Sequence, residues 1–155
     1  LEFRRVLFRS VAFALCAIAP GAVLAAGEQG FGSWKVRAQG TTNPPQSETR
    51  VYEDRGNGVI FSTRQGVDAQ GHAFFSEYAG KYDGKEYPRL VKGSGDVNTI
   101  TLVRVDPRTS TFTLKTDGKV TANGKRTISA DGKTMTIETT NVGGPTSVVV
   151  YDKQE

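Results

Sequence analysis

The chain has 155 residues, a one-domain length, with 37% hydrophobic residues, 18 glycines, one cysteine and a formal net charge of +4, the composition of a turn-rich globular protein. Its basic residues alternate with acidic ones instead of gathering in blocks, which excludes the electrostatic footprint of a nucleic-acid or anionic-lipid binder. A lone cysteine, Cys16, excludes a disulfide framework.

Residues 1–26 read as a leader. Arg4, Arg5 and Arg9 precede an apolar run from Val11 to Ala25, and the small residues Ala25, Ala26 and Gly27 follow it, the layout of a signal peptide. The run is about 15 residues, against the roughly 20 that a membrane-spanning helix needs, and Pro20 and Gly21 interrupt it. Cleavage is expected after Ala25 or Ala26, with delivery to the periplasm or the exterior and no membrane span left afterwards. Leu15 before Cys16 does not fit a lipoprotein signal, so no lipid anchor is expected. Leu1 to Ser10 reads as translated linker sequence joined to a truncated leader. Residues 27–155 then form a single domain with 17 basic and 15 acidic residues, a charge of only about +2.

From Gly32 onward, short β-branched and aromatic runs are cut by Gly, Asp, Asn and Pro clusters. Strands are expected at Ser33–Ala38, Glu48–Glu53, Val59–Gln65, His72–Lys81, Thr99–Val105, Thr109–Thr116, Lys119–Ser129, Thr134–Thr140 and Ser147–Lys153, with Tyr87–Val91 open as one more. No helix is expected. Three Asp-Gly-Lys triplets, at Asp83, Asp117 and Asp131, predict hairpin turns and lack the neighbouring oxygen ligands of a calcium loop. Asn123-Gly124 follows Asp117-Gly118 so closely that it predicts a bulge inside one long strand.

Alternation assigns one face of these strands to the interior: Trp34 with Val36, Phe74 with Tyr78 and Tyr82, Ile100 with Leu102, Phe112 with Leu114, and Met135 with Ile137. The opposite face is mostly Thr, Lys and Glu. Short turns and no crossover helix predict an all-β antiparallel up-and-down meander of about 8–10 strands, whose closure into a lipocalin-like barrel removes the unpaired edges. An open sandwich of two meanders is the alternative.

Gly32-Ser33-Trp34 carries the Gly-x-Trp that opens lipocalins, where the Trp plugs one end of the barrel. The stretch from Gly32 to Gln154 resembles a group of small exported bacterial proteins with lipocalin-like, calycin-type barrels and no established activity. Its resembling segments are Tyr78 to Pro88, Ser129 to Thr136, and Val150 to Gln154. The resemblance implies export and a barrel, and it names no ligand. The later lipocalin motif of Thr-Asp-x-x-Asn-Tyr type is missing, and no flanking helix is expected after Lys153. Strands one and two leave no room for the paired helices of intracellular fatty-acid carriers.

No constellation points to catalysis. His72 is the sole histidine, beside a turn, without a second histidine or cysteine to complete a metal set or a nucleophile-base pair. Glu53 and Asp54 point to opposite faces as strand neighbours, and no Gly-x-Ser-x-Gly elbow or phosphate loop occurs. The chain is therefore expected not to be an enzyme and to use neither metal nor cofactor. Two inward arginines are the exception to an apolar interior: Arg104 alternates with Ile100 and Leu102, and Arg126 shares a face with Ile128. A desolvated guanidinium requires a partner, such as Glu77, the Tyr151 hydroxyl or an acidic ligand. One reading is a pocket in which Arg104 and Arg126 clamp an anionic head beside Tyr151, with Phe61, Phe74, Tyr78 and Ile137 lining an apolar cavity. The other places both arginines at strand ends, snorkelling to water or paired in a filled barrel. Trp34 is expected as the barrel plug. The expected function is a monomeric binding module for a small apolar or acidic amphipathic molecule, against a structural or envelope-interaction protein with a packed, ligand-free barrel.

Overall fold

Ten antiparallel strands stand where the β-branched and aromatic runs occur: β1 (Gly32–Arg37), β2 (Ser47–Asp54), β3 (Ile60–Val67), β4 (Ala73–Gly80), β5 (Asp83–Val91), β6 (Asn98–Arg104), β7 (Thr109–Thr116), β8 (Lys119–Ile128), β9 (Thr134–Asn141) and β10 (Thr146–Lys153). The computed structural model describes residues 30–155. The proposed leader, its cleavage position and Cys16 lie outside the described residues. Each strand pairs with its sequence neighbours and β1 pairs with β10, so the meander is a closed barrel and not an open sandwich.

Aspartates build many of the reversals. Asp54, Asp68, Asp106 and Asp131 each accept a backbone N–H two residues ahead, from Gly56, Gln70, Arg108 and Lys133, at 2.8–3.0 Å, the local bond that lets Asp nucleate a turn. The tenth strand, β5, is a full one. Register places its reversal from β4 at Asp83-Gly84, yet Asp83 already pairs with Val103 of β6, and the register shifts between Asp83 and Glu86. The triplet at Asp83 therefore stands at the reversal, with Gly84 at positive φ and the Lys85 N–H donating to the Asp83 carboxylate, while Asp83 itself is already paired in a bulged strand. β8 runs unbroken through Asn123-Gly124 as expected, but its irregularity lies nearer the hairpin, opposite Leu114 and Lys115 of β7. Gly124 instead makes room for a ring, since a Cβ there would stand 2.1 Å from the Phe112 side chain and 2.6 Å from the Glu138 carbonyl oxygen. Its bare backbone is the seat on which Phe112 lies.

The interior carries the apolar pairs that alternation picks out. Trp34, Tyr52, Ile60, Ile128, Met135 and Tyr151 pack in one cluster with Ile137. These residues lie toward the starts of odd-numbered strands and the ends of even-numbered ones, so the cluster occupies one end of the barrel. Trp34 is fully buried there, donates its indole N–H to the Gly30 carbonyl at 3.1 Å, and stacks under Lys153 at 5.5 Å from the ring centre. Burying an indole with its N–H satisfied gives this end an apolar stopper without an orphaned donor.

Candidate functional site

Above the Trp34 cluster the barrel encloses a cavity of about 310 Å³. Six apolar side chains, Ile100, Leu102, Phe112, Leu114, Ile137 and Val149, line the part facing β6 to β10. Four arginines, Arg50, Arg64, Arg89 and Arg126, come from β2, β3, β5 and β8, and Ser110, Thr139, Asn141 and Ser147 add polar groups among the apolar side chains of β7, β9 and β10. One carboxylate, Glu48, is buried against this basic group at 2% exposure.

Glu48 ties two of the arginines. Its Oε1 accepts from Arg50 Nε at 2.9 Å, Arg64 Nε at 2.8 Å and the Tyr151 hydroxyl at 2.5 Å, and its Oε2 accepts from Arg64 Nη2 at 3.0 Å. Arg50 Nε also donates to the Tyr151 hydroxyl at 2.9 Å, and Arg64 lies over the Phe74 ring at 4.3 Å. Burial alone would raise the Glu48 pKa, but the Arg50 and Arg64 guanidinium groups and the Tyr151 hydroxyl overrule it and hold the carboxyl at about 2. Burial, reinforced by the Glu48 charge, pushes the Tyr151 phenol up, so it stays a neutral donor.

Arg126, only 7% exposed, is held by aromatic rings. Its guanidinium carbon stands 4.5 Å from the Tyr52 ring centre and 5.7 Å from that of Tyr82, and Nη2 donates to the Tyr82 hydroxyl. Stacking plus a hydroxyl acceptor keeps a buried guanidinium charged without a carboxylate. Tyr52 sits between Arg50 and Arg126. Burial would raise its phenol, and these two positive charges pull it below the ordinary value instead.

Arg89 differs from the other three. Its register partner is Tyr78, one step along the barrel from the Arg64–Ser76 rung. No hydrogen bond or ion pair holds it among the described residues, and Tyr78 is its favourable electrostatic neighbour. Burial, then Arg64 and Arg50, depress its pKa. Burial and charge thus agree that one guanidinium in the cavity wall is opposed by its surroundings.

The residues expected from sequence separate into three places. Arg126, Tyr78 and Ile137 line the cavity together. Tyr151 belongs to the buried Glu48 network, and Phe74 packs on Arg64 at that network's edge. Phe61 alternates with the inward Ile60 and Ser62 and lies on the outer face beneath Arg55, 4.9 Å from the ring centre. Arg104 is outside the cavity wall: it stacks on the Tyr82 ring at 4.0 Å and donates to the Pro107 carbonyl at 3.4 Å. Arg104 and Arg126 therefore flank Tyr82 instead of forming one clamp across open space. Glu77 points outward between Ser76 and Tyr78 and meets neither arginine. His72 is exposed and faces Asp68, its Nδ1 3.3 Å from a carboxylate oxygen.

Glu48, Arg50, Arg64 and Arg89 escape a reading of the sequence that assigns charged strand residues to solvent. The available signal is parity: Glu48, Arg50 and Tyr52 alternate together, as do Ile60, Ser62 and Arg64. No protein-family model matches this chain, and no curated protein matches it. The architecture itself, ten antiparallel strands in a closed meander, is compatible with a lipocalin-like barrel.

Proposed function

We propose that this protein is an exported, non-enzymatic binding module of lipocalin-like type that holds a small amphipathic anion inside its barrel. One observation carries the reading: four guanidinium groups, with one buried carboxylate among the described residues bonded behind two of them, border a cavity whose remaining wall combines six aliphatic or phenyl side chains with tyrosines and small hydroxyl or amide groups. Such a wall solvates an apolar tail on one side and a negative head on the other, and the volume of about 310 Å³ is at the small end of ligand pockets. Delivery to the periplasm or the exterior, inferred from the leader, is part of the same proposal.

Isothermal calorimetry with octyl sulfate, octanol and octyltrimethylammonium tests it. Octyl sulfate is expected to bind, and the neutral and cationic analogues to bind at least tenfold more weakly. Native mass spectrometry of protein purified from its own host is expected to show an adduct of lipid-like mass. A second reading, a packed structural barrel, is favoured by the Glu48–Arg50–Arg64–Tyr151 network, which closes on itself with no buried polar side-chain atom left unbonded among the described residues. Absence of the adduct, together with no binding of any octyl anion, favours that second reading.

A further inference from the structure

The anion's head group can be specified further, on the assumption that the cavity takes an anionic amphiphile at all. At the end of the cavity formed by β2 to β5 three guanidinium groups, Arg50, Arg64 and Arg89, line the wall, and one carboxylate, Glu48, is buried behind them against Arg50 and Arg64. Glu48 spends both oxygens on Arg50, Arg64 and Tyr151, which leaves nothing for Arg89. Two positive charges remain uncompensated in a partly desolvated wall. Arg126 is a further charge on the cavity lining, but it comes from β8, stacks on the Tyr52 ring and donates to the Tyr82 hydroxyl, so it is not one of the three guanidinium groups at the β2 to β5 end.

Hydroxyls complete the lining. Ser62, Ser76 and Tyr78 border the same wall, and the rungs Arg64↔Ser76 and Tyr78↔Arg89 put them beside the guanidinium groups. Guanidinium forks and hydroxyls together suit a tetrahedral oxyanion, because each fork presents two parallel N–H groups and each hydroxyl can serve as a further donor. A fold tolerates an unpaired, mutually repelling charge in such a wall where function requires it. A monoanion would leave one of the two charges unmatched, whereas a dianion matches both.

We propose that the cavity is built for a dianionic oxyanion head group, a phosphate monoester carrying a short apolar tail, and that Arg89 is the residue that engages it. Arg50 and Arg64 turn their remaining N–H groups to the same head while Glu48 fixes their forks. The tail lies along Phe112, Leu114, Ile137 and Val149.

The test uses the wild-type protein at pH 8, where an alkyl phosphate is doubly charged because its second pKa is about 6. Octyl phosphate, octyl sulfate, octanoate, octanol and inorganic phosphate are titrated by calorimetry. Octyl sulfate is the decisive control, having the same tetrahedral shape with a single charge. Octyl phosphate is expected to bind at least tenfold more tightly than octyl sulfate or octanoate. A preference below tenfold overturns the dianion while leaving the anionic-amphiphile reading intact. Equal binding of octanol, or no binding by any octyl compound, overturns both. Inorganic phosphate binding as tightly as octyl phosphate keeps the dianion and overturns the role of the tail. Arg89→Met and Arg89→Gln, each checked for folding by the Trp34 fluorescence spectrum, are expected to reduce the phosphate-over-sulfate preference to less than threefold. Retention of the full preference in either folded variant removes Arg89 from the head-group site.

Discussion

Replacing Glu48 by Gln removes the one carboxylate buried among the described residues from an arginine-rich interior, and the structure fixes how much that should cost. Gln keeps the size and one acceptor oxygen but leaves Arg50 and Arg64 without a counter-charge. The Glu48 carboxyl lies at about 2 in the folded protein against 4.5 for a free side chain, a difference worth about 3 kcal/mol of folding stability. Losing one member of a buried ion pair independently costs roughly 3–5 kcal/mol, so the two routes agree. Since the folded pKa lies below the unfolded one, Glu48 stabilises fully above about pH 5, and that contribution is lost as pH falls toward 2. Urea unfolding of the wild type and Glu48→Gln is measured from pH 2 to pH 7. Taking the difference between the two proteins cancels the other carboxylates. A gap of about 3 kcal/mol is expected at pH 7, seen in a thermal scan as roughly 10 °C, shrinking below about 1 kcal/mol near pH 2. A gap under about 1 kcal/mol at neutral pH, or one that does not change with pH, would refute the assignment of Glu48 as the interior counter-ion.

Three further outcomes follow from the packing. Trp34→Ala empties the fully buried stopper and is expected to cost about 3–5 kcal/mol in urea unfolding, the range for a large aromatic truncated in a core. Gly124→Ala drives a methyl group to 2.1 Å from the Phe112 ring; a loss of about 1–3 kcal/mol is expected from such overpacking, and Phe112→Leu in the same chain should recover part of it. Arg104→Met is expected to change octyl sulfate affinity less than twofold by calorimetry, because Arg104 stacks on Tyr82 from outside the cavity wall.

Much of the fold is legible in the sequence because its signals are local. Period-two alternation locates the apolar faces around Trp34, Ile100, Phe112 and Met135, and Asp-Gly pairs locate reversals at Asp117 and Asp131. β5 is harder to read: Asp83-Gly84-Lys85-Glu86 has the composition of a turn, and its strand character comes from pairing with β6 across a register shift that composition does not encode. The candidate site is harder still. Arg126 can be found from its parity with Ile128, but Arg50 and Arg64 are acceptable inside because Glu48, nearby in sequence, turns inward with them and Tyr151 joins it from about a hundred residues away. Phe61 misleads because aromatic character suggests an inward side chain, whereas on β3 Ile60 and Ser62 hold that face.

The junction between β1 and β10 differs in kind from every other pairing in the barrel. Nine junctions join consecutive strands, but this one matches Trp34 with Lys153 through Arg37 with Val150, well over a hundred positions apart. Zippering along the hairpins can proceed locally, whereas this seam must await the collapse of the whole ribbon. The segment after β1 fastens it: the Thr42 N–H bonds to the Val148 carbonyl at 2.7 Å and the Val150 N–H to the Thr41 hydroxyl at 2.9 Å. If this latch lets go, two long edges are bared at once, and the same bonds that close one molecule can then join two.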